Sequence, residues 1–99
     1  MTQTLLILPE AVEDIAEARR WYDEALTGLG ERFLSQVDDC IRRIQTYPDL
    51  YERVYKQYRR AMVRRFPFVV FYEVSADRLV VYSVFHTAQD PNKWRKRLP

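Results

Sequence analysis

The hydrophobic period of this chain changes once, near residue 50, and that change limits the folds open to it. Before it, apolar residues recur every three or four positions. Val12, Ile15, Ala18, Tyr22 and Ala25 form one run, and Phe33, Val37, Cys40, Ile41 and Ile44 form a second. Such spacing puts each set on one face of a helix. After it, Arg53–Lys56, Arg60–Arg65, Phe68–Val74 and Leu79–His86 are rich in Val, Tyr and Phe and are separated by short polar breaks, as strands are. Helices followed by strands argue for an α+β domain with the helices packed on one sheet face.

Punctuation residues set the boundaries. Thr4–Leu8 is apolar, is stopped by Pro9, and reads as a short strand with both faces covered. Pro9 suits the first position of a helix, where a missing N–H costs nothing, and Glu10, Glu13 and Asp14 favour the positive end of that helix dipole. Gly28 and Gly30 are the only two glycines, placed where one helix stops and the next begins, so the helices form an antiparallel hairpin. Asp38–Arg42 and Asp39–Arg43 are acid-to-base pairs suited to the exposed side of the second helix, and Pro48 closes it. Ser75-Ala76-Asp77-Arg78 is a hairpin turn, and Pro67 fits a strand's first residue or a bulge. Asp90-Pro91 matches an N-cap followed by proline, opening a short helix through Trp94 to Arg97. The expected domain spans residues 1–99: an N-terminal strand, a helical hairpin, a three- to four-stranded antiparallel sheet and a terminal helix.

Charge divides at the same place as period. Residues 1–52 hold eleven acids and five arginines, while residues 53–99 hold eleven bases and three acids, so a net charge of +2 conceals halves of −6 and +8. The basic half interleaves its charges with Phe, Val, Tyr and Trp, as a packed surface for an anionic partner does. The apolar run Leu5–Leu8 is too short to span a membrane and lacks the flank of a signal peptide, so a cytoplasmic protein with no membrane partner is expected. Cys40 is the only cysteine and reads as an inert core thiol.

Three groups of residues could carry chemistry. Arg59, Arg60, Arg64 and Arg65 flank the third strand. Alternation sends Arg60 and Arg64 to one face and Arg59 and Arg65 to the other; the pair on the open face, with Arg60 and Arg64 expected outward, binds phosphate or carboxylate, or merely keeps an edge from aggregating. His86, the single histidine, is either a general acid or base, or a polar group that closes its strand. Lys93, Arg95, Lys96 and Arg97 surround Trp94 on the last helix, with Trp94 as its anchor to the sheet and the bases either solvated or contacting a partner. Trp21 and Tyr22 read as packing residues. There is no glycine-rich phosphate loop, no metal-ligand spacing, and no Ser/His/Asp or Cys/His arrangement, so neither a metal nor a cofactor is expected.

The order of elements, with the residues that fill it, resembles the RelE/ParE superfamily of bacterial toxins, the plasmid-stabilisation type. The likeness is carried by Glu13-Asp14-Ile15 with Trp21-Tyr22, by Gly28-Leu29-Gly30 with Arg32-Phe33, and by Arg59-Arg60-Ala61 followed by Arg65-Phe66-Pro67-Phe68 and Phe71-Tyr72. Val84-Phe85-His86 with Asp90-Pro91, Trp94 and Arg97 complete it. The resemblance implies the toxin of a type II toxin–antitoxin pair, held silent by a cognate antitoxin, either as a homodimer or in a toxin–antitoxin hetero-oligomer. It leaves two actions open. RelE-like members cut messenger RNA on the ribosome with several basic residues, for which Arg60, Arg64 and His86 are the candidates here. Those members carry an arginine inside the strand matching Phe68–Val74 and a basic residue after the last strand. Here the strand has no base, and His86 is followed by Thr87 and Ala88. ParE-like members lack the RNase set and poison DNA gyrase by binding. The resemblance thus leans to a non-enzymatic toxin, with Arg59, Arg60, Arg64, Arg65, Lys93, Arg95 and Arg97 as its target- or antitoxin-binding residues. A non-toxic nucleic-acid-binding module is the remaining alternative.

Overall fold

The computed structural model describes residues 4–99. In chain order the elements are β1 (Thr4–Ile7), α1 (Pro9–Ala25), α2 (Leu29–Thr46), β2 (Arg53–Tyr55), β3 (Tyr58–Met62), β4 (Phe68–Val74), β5 (Arg78–His86) and α3 (Pro91–Arg97). The five strands form one sheet in the order β1-β5-β4-β3-β2. β1 runs parallel to β5, and the other neighbours are antiparallel. The sheet is therefore mixed: the N-terminal strand joins it beside the last strand and is covered on one face only, with Leu6 41% exposed. An edge strand of four residues needs only one buried face to hold its place.

The helical hairpin turns on its two glycines. Gly28 adopts φ 90°, a left-handed conformation that other residues enter at a cost. Gly30 lies where the helices touch: its N–H donates to Asp23 Oδ1 at 2.8 Å, and a Cβ there would sit 2.7 Å from the Arg19 carbonyl oxygen. Phe33, Val37, Cys40, Ile41 and Ile44 all enter the core, as their spacing predicts. The stripe on α1 is rotated from the expected one. Ala11, Ala18 and Tyr22 are buried, whereas Val12 and Ala25 are exposed. Neither Asp38–Arg42 nor Asp39–Arg43 closes as an ion pair among the described residues.

Alternation along the strands builds two apolar clusters. The larger joins Phe68, Val70, Tyr72, Leu79, Val81 and Val84 to the hairpin. Within it Tyr22, Phe33, Phe66 and Phe68 meet edge-on or tilted, with ring centroids 4.9–6.1 Å apart. On the opposite face Tyr58, Val69, Phe71, Phe85 and Leu98 are capped by Trp94, whose ring stacks on Phe71 at 4.5 Å. Packing of all helices on one face is thus corrected: α3 covers part of the other. A bulge shifts the β4–β5 register between Phe71 and Tyr72, which pair with Ser83 and Val81 and leave Tyr82 without a partner in the ladder.

α3 starts as its residues predict, with the Asp90 carboxylate accepting from Asn92 N–H at 3.0 Å and Pro91 opening the helix. No helix among the described residues is long and apolar enough to cross a membrane.

Candidate functional site

β3 ends two residues before the arginines expected inside it. Its last residue is Met62, and Arg64 and Arg65 lie in the turn to β4, where Val63 N–H bonds Phe68 O at 2.9 Å. Arg65 takes φ 69° there. Strand alternation therefore does not govern all four arginines, and the predicted two-and-two division holds only for Arg59 and Arg60.

Those two serve different purposes. Arg59 faces the hairpin side, only 11% exposed, and its guanidinium donates to Tyr51 O at 2.6 Å, Asp49 O at 3.2 Å and Asp49 Oδ1 at 3.3 Å. It fastens the loop after α2 and is placed as a structural staple, not on an open binding surface. Arg60 is exposed, but its Nε and Nη2 both donate to Glu52 Oε1, at 3.0 and 2.7 Å. The expected free pair of outward guanidiniums is thereby corrected: Arg60 already holds a carboxylate of its own chain. Arg64 and Arg65 are exposed and make no ion pair among the described residues.

Around Arg60 and Arg64 the surface forms a groove. β2 is three residues long and reaches only Arg59, so beyond the Arg60 N–H bond to Glu52 O no strand among the described residues covers the outer edge of β3. Arg43, Leu50, Tyr51, Glu52, Arg60, Met62 and Arg64 enclose about 450 Å³ there. Leu50 is 71% exposed and Met62 53%, so an apolar floor lies beneath three guanidiniums and a single carboxylate. Arg43 reaches toward the strand edge, its Nη2 3.5 Å from Met62 O. Sequence reasoning missed Arg43, which was assigned to a helix pair, and Leu50 and Met62. Their signal was faint: two large apolar residues outside any buried stripe.

His86 stands apart. It pairs with Phe68 across β5 and β4, on the hairpin face, whereas Arg60 pairs with Phe71 on the α3 face. Its Nδ1 accepts from Ala88 N–H at 3.0 Å, which closes the turn after β5 and leaves the ring proton on Nε2. His86 lines a different pocket from Arg60 and Arg64, so the fold does not assemble the three candidate catalytic residues in one place.

On α3, Lys93 is exposed and Arg95 lies over the Tyr55 ring at 5.5 Å. Arg97 is occupied within the chain: it donates to Asp14 Oδ1 at 2.9 Å and sits 5.0 Å from the Phe85 ring centre. It is placed as a strap across the sheet, not as an outward contact. Trp21, read as a packing residue, is 64% exposed. Burial raises the pKa of the Cys40 thiol and keeps it protonated, as an inert core thiol should be. Among the described residues no group of three or more His, Cys, Asp or Glu side chains comes together to hold a metal ion.

Comparison with known proteins agrees with this architecture. The chain is 27% identical over 93 residues to Toxin ParE2 of Mycobacterium tuberculosis strains CDC 1551 and H37Rv, covering 93% of this chain and 89% of those proteins. Its fold matches a solved chain of the chromosomal ParDE toxin–antitoxin system from P. aeruginosa with a TM-score of 0.65, at 14% identity, over 86% of this chain and 96% of that one. It also matches, with a TM-score of 0.51 and 16% identity, a chain of the RelB-RelE antitoxin-toxin complex from Methanococcus jannaschii, over 95% and 99% of the two chains. The family model for the ParE toxin of the type II toxin–antitoxin system parDE matches residues 5–91. With nearly the whole chain matched, the protein belongs to the ParE toxin family of type II toxin–antitoxin systems.

Proposed function

We propose that this ParE-family toxin inhibits growth by binding, with DNA gyrase in the cytoplasm as its target, and that a cognate antitoxin neutralises it by occupying the groove beside β3. The observation that carries this reading is the composition of that groove: Arg43, Arg60 and Arg64 around the exposed side chains of Leu50 and Met62. Guanidiniums favour carboxylates, and an apolar floor favours Leu, Ile or Phe. An acidic and apolar segment that orders on the toxin satisfies both. Its carboxylates would exchange with Glu52 at Arg60 and pair directly with Arg64. The solved relatives from P. aeruginosa and M. jannaschii are toxin–antitoxin assemblies, which supports a partner of this kind. Binding rather than RNA cleavage is favoured because Arg60 and His86 lie on opposite faces of the sheet and line separate pockets.

The test is induced expression in a bacterium, with and without the neighbouring gene. The expected result is filamentation and an SOS response, relieved by the neighbour, together with inhibition of gyrase supercoiling by the purified toxin. Transcripts cleaved at codon boundaries, with gyrase unaffected, would replace this reading by a ribosome-dependent mRNA endonuclease. Normal growth would leave a non-toxic nucleic-acid-binding module.

A further inference from the structure

β5 outruns the strand beside it. β1 pairs with it only as far as Ile7↔Val81, so among the described residues the edge of β5 from Tyr82 to His86 has no strand next to it. Side chains occupy that edge instead. Arg97 donates to Tyr82 O at 3.4 Å, Asp14 Oδ2 accepts from Val84 N–H at 3.0 Å, and Gln89 Oε1 accepts from His86 N–H at 3.2 Å. An incoming strand would find the Tyr82 carbonyl and the Val84 and His86 N–H groups already taken, which favours docking through side chains.

A pocket of about 360 Å³ opens at this place, between α1 and the end of β5. Ala18, Phe68 and Val84 supply apolar wall, Trp21 stands at one side, 64% exposed, and Glu17, His86 and Gln89 lie around them. Asp14 also borders it, but both its oxygens are engaged, one by Val84 N–H and one by Arg97. His86 has its Nδ1 engaged by Ala88 N–H. Glu17 is the carboxylate left over: it is exposed and makes no ion pair among the described residues. Glu10, Glu13 and Glu24 recur with Glu17 and Trp21 at intervals of three and four, all exposed and likewise without an ion pair. One face of α1 is therefore a mainly negative stripe with an indole in it and Arg20 at its margin, and its middle borders an apolar pocket.

We propose that this pocket is a second docking site, which takes an arginine-bearing segment of a partner protein. A guanidinium lies flat on an indole, forks to a carboxylate, and brings a three-carbon stem that suits an apolar wall. Trp21, Glu17 and the wall of Ala18, Phe68 and Val84 offer those three features within one cavity. The stripe of glutamates rejects phosphate and draws a basic chain toward the pocket. The site is opposite in charge to the groove beside β3 and stands independently of it, so the toxin presents two faces for two chemistries.

The test titrates the full-length toxin with a blocked hexapeptide of alternating leucine and arginine, and with its counterpart in which citrulline replaces arginine, followed by amide and indole NMR shifts. The arginine peptide should saturate shifts at Glu17, Trp21, Val84 and Gln89, and the citrulline peptide should bind roughly tenfold more weakly. Glu17→Gln should weaken the arginine peptide about fivefold, and Trp21→Ala about threefold. Both positions are exposed, so both variants should keep the parent's melting temperature. Equal binding of the two peptides would reduce the pocket to an apolar slot and overturn the proposal. Shifts at Arg43 and Arg64 instead, or no saturation, would do the same. A toxin-only mass that rises with concentration and is lost in Glu17→Gln would give the pocket to a second copy of this chain.

Discussion

Asp14 and Arg97 lie 83 residues apart in sequence and meet at 2.9 Å, on the open edge of β5. The other Asp14 oxygen caps Val84 N–H, and the other Arg97 nitrogen reaches Tyr82 O. Four groups from α1, β5 and α3 thus close an edge that β1 is too short to cover. The bulge at Tyr82 frees a carbonyl there, and buried or half-buried backbone groups must find partners. This contact also fixes α3, which is otherwise held by the Trp94 stack on Phe71 and by Leu98.

Removing Asp14 should therefore cost more than a surface ion pair. Asp14→Ala leaves a half-buried guanidinium and the Val84 N–H without their partner, a loss of about 2–3 kcal/mol. Arg97→Met keeps the stem over Phe85 and should cost less. A double-mutant cycle by urea denaturation should give a coupling of ~1 kcal/mol between the two sites. Additivity would mean that the pair contributes nothing to stability.

The two glycines should respond differently to the same substitution. At Gly30 an added Cβ would stand 2.6 Å from Asp23 Cγ and 2.7 Å from the Arg19 carbonyl oxygen, and backbone cannot step aside cheaply. Gly30→Ala should open the hairpin at a cost of about 2–4 kcal/mol. At Gly28 nothing among the described residues lies within 4 Å of the added atom, and only φ 90° opposes it. Gly28→Ala should cost ~1 kcal/mol. Thermal melts of both variants check the ranking, and equal losses would contradict it.

Most of this fold was legible because burial follows period. The α2 stripe entered the core residue for residue, and Asp90-Pro91 opened its helix as its chemistry requires. The misreadings share one physical cause: sequence shows which residues are charged or apolar, but not what tertiary contact claims them. Trp21 has the composition of a core residue, yet Ala18 and Tyr22 take the buried face of α1 and leave its ring in solvent. Arg59, Arg60 and Arg97 resemble one another in sequence. One fastens a loop, one holds Glu52 and one straps the sheet to α1, because Asp49 and Glu52 reach across from the loop between α2 and β2 and Asp14 arrives from α1. The groove beside β3 was half legible, since its arginines were visible and its apolar floor was not.

Within that groove the two exposed arginines should differ. Arg64 makes no ion pair among the described residues, whereas Arg60 must surrender Glu52 before it can take another carboxylate. If an acidic segment of the antitoxin docks here, Arg64→Ala should weaken it by about 1–2 kcal/mol and Arg60→Ala by less. Glu52→Gln should tighten binding, because it releases Arg60 and removes a like charge. Affinity should fall only moderately between ~50 and ~200 mM salt, unlike that of a phosphate binder. Calorimetry on the purified pair reads all four, and tighter binding by Arg64→Ala would place the antitoxin elsewhere.

Cys40 reports global opening. Its side chain is fully buried and burial holds the thiol protonated. The thiolate is the reacting form, so native protein should resist a disulfide reagent until it unfolds. Labelling at pH 8 should be slower than in urea by on the order of 10³-fold or more. Asp14→Ala should speed it by the factor its stability loss predicts. Fast labelling of the native chain would show that α2 lifts from the edge of β3 without global unfolding.

Alkaline pH should destabilise the fold through two tyrosines. Burial is the main reason the pKa of Tyr82 is pushed up to about 12, with its hydrogen bond to Glu73 and that carboxylate's charge adding to the rise. Tyr72 is raised further, mainly by burial, and its hydroxyl donates to Pro48 O at 2.7 Å. In the unfolded chain both lose their protons near the ordinary value of about 10. Between these values the folded state binds more protons than the unfolded state, so stability falls as pH rises. The stabilisation is fully present below about 10 and is lost as pH climbs toward the folded values. Tyr82→Phe removes one titration, so its urea midpoint should decline less steeply than the parent's between pH 9.5 and 11.5. At pH 7 the variant should lose only the bond to Glu73, about 0.5–1 kcal/mol. Parallel declines in parent and variant would mean that Tyr82 ionises in the native fold as it does in the unfolded chain.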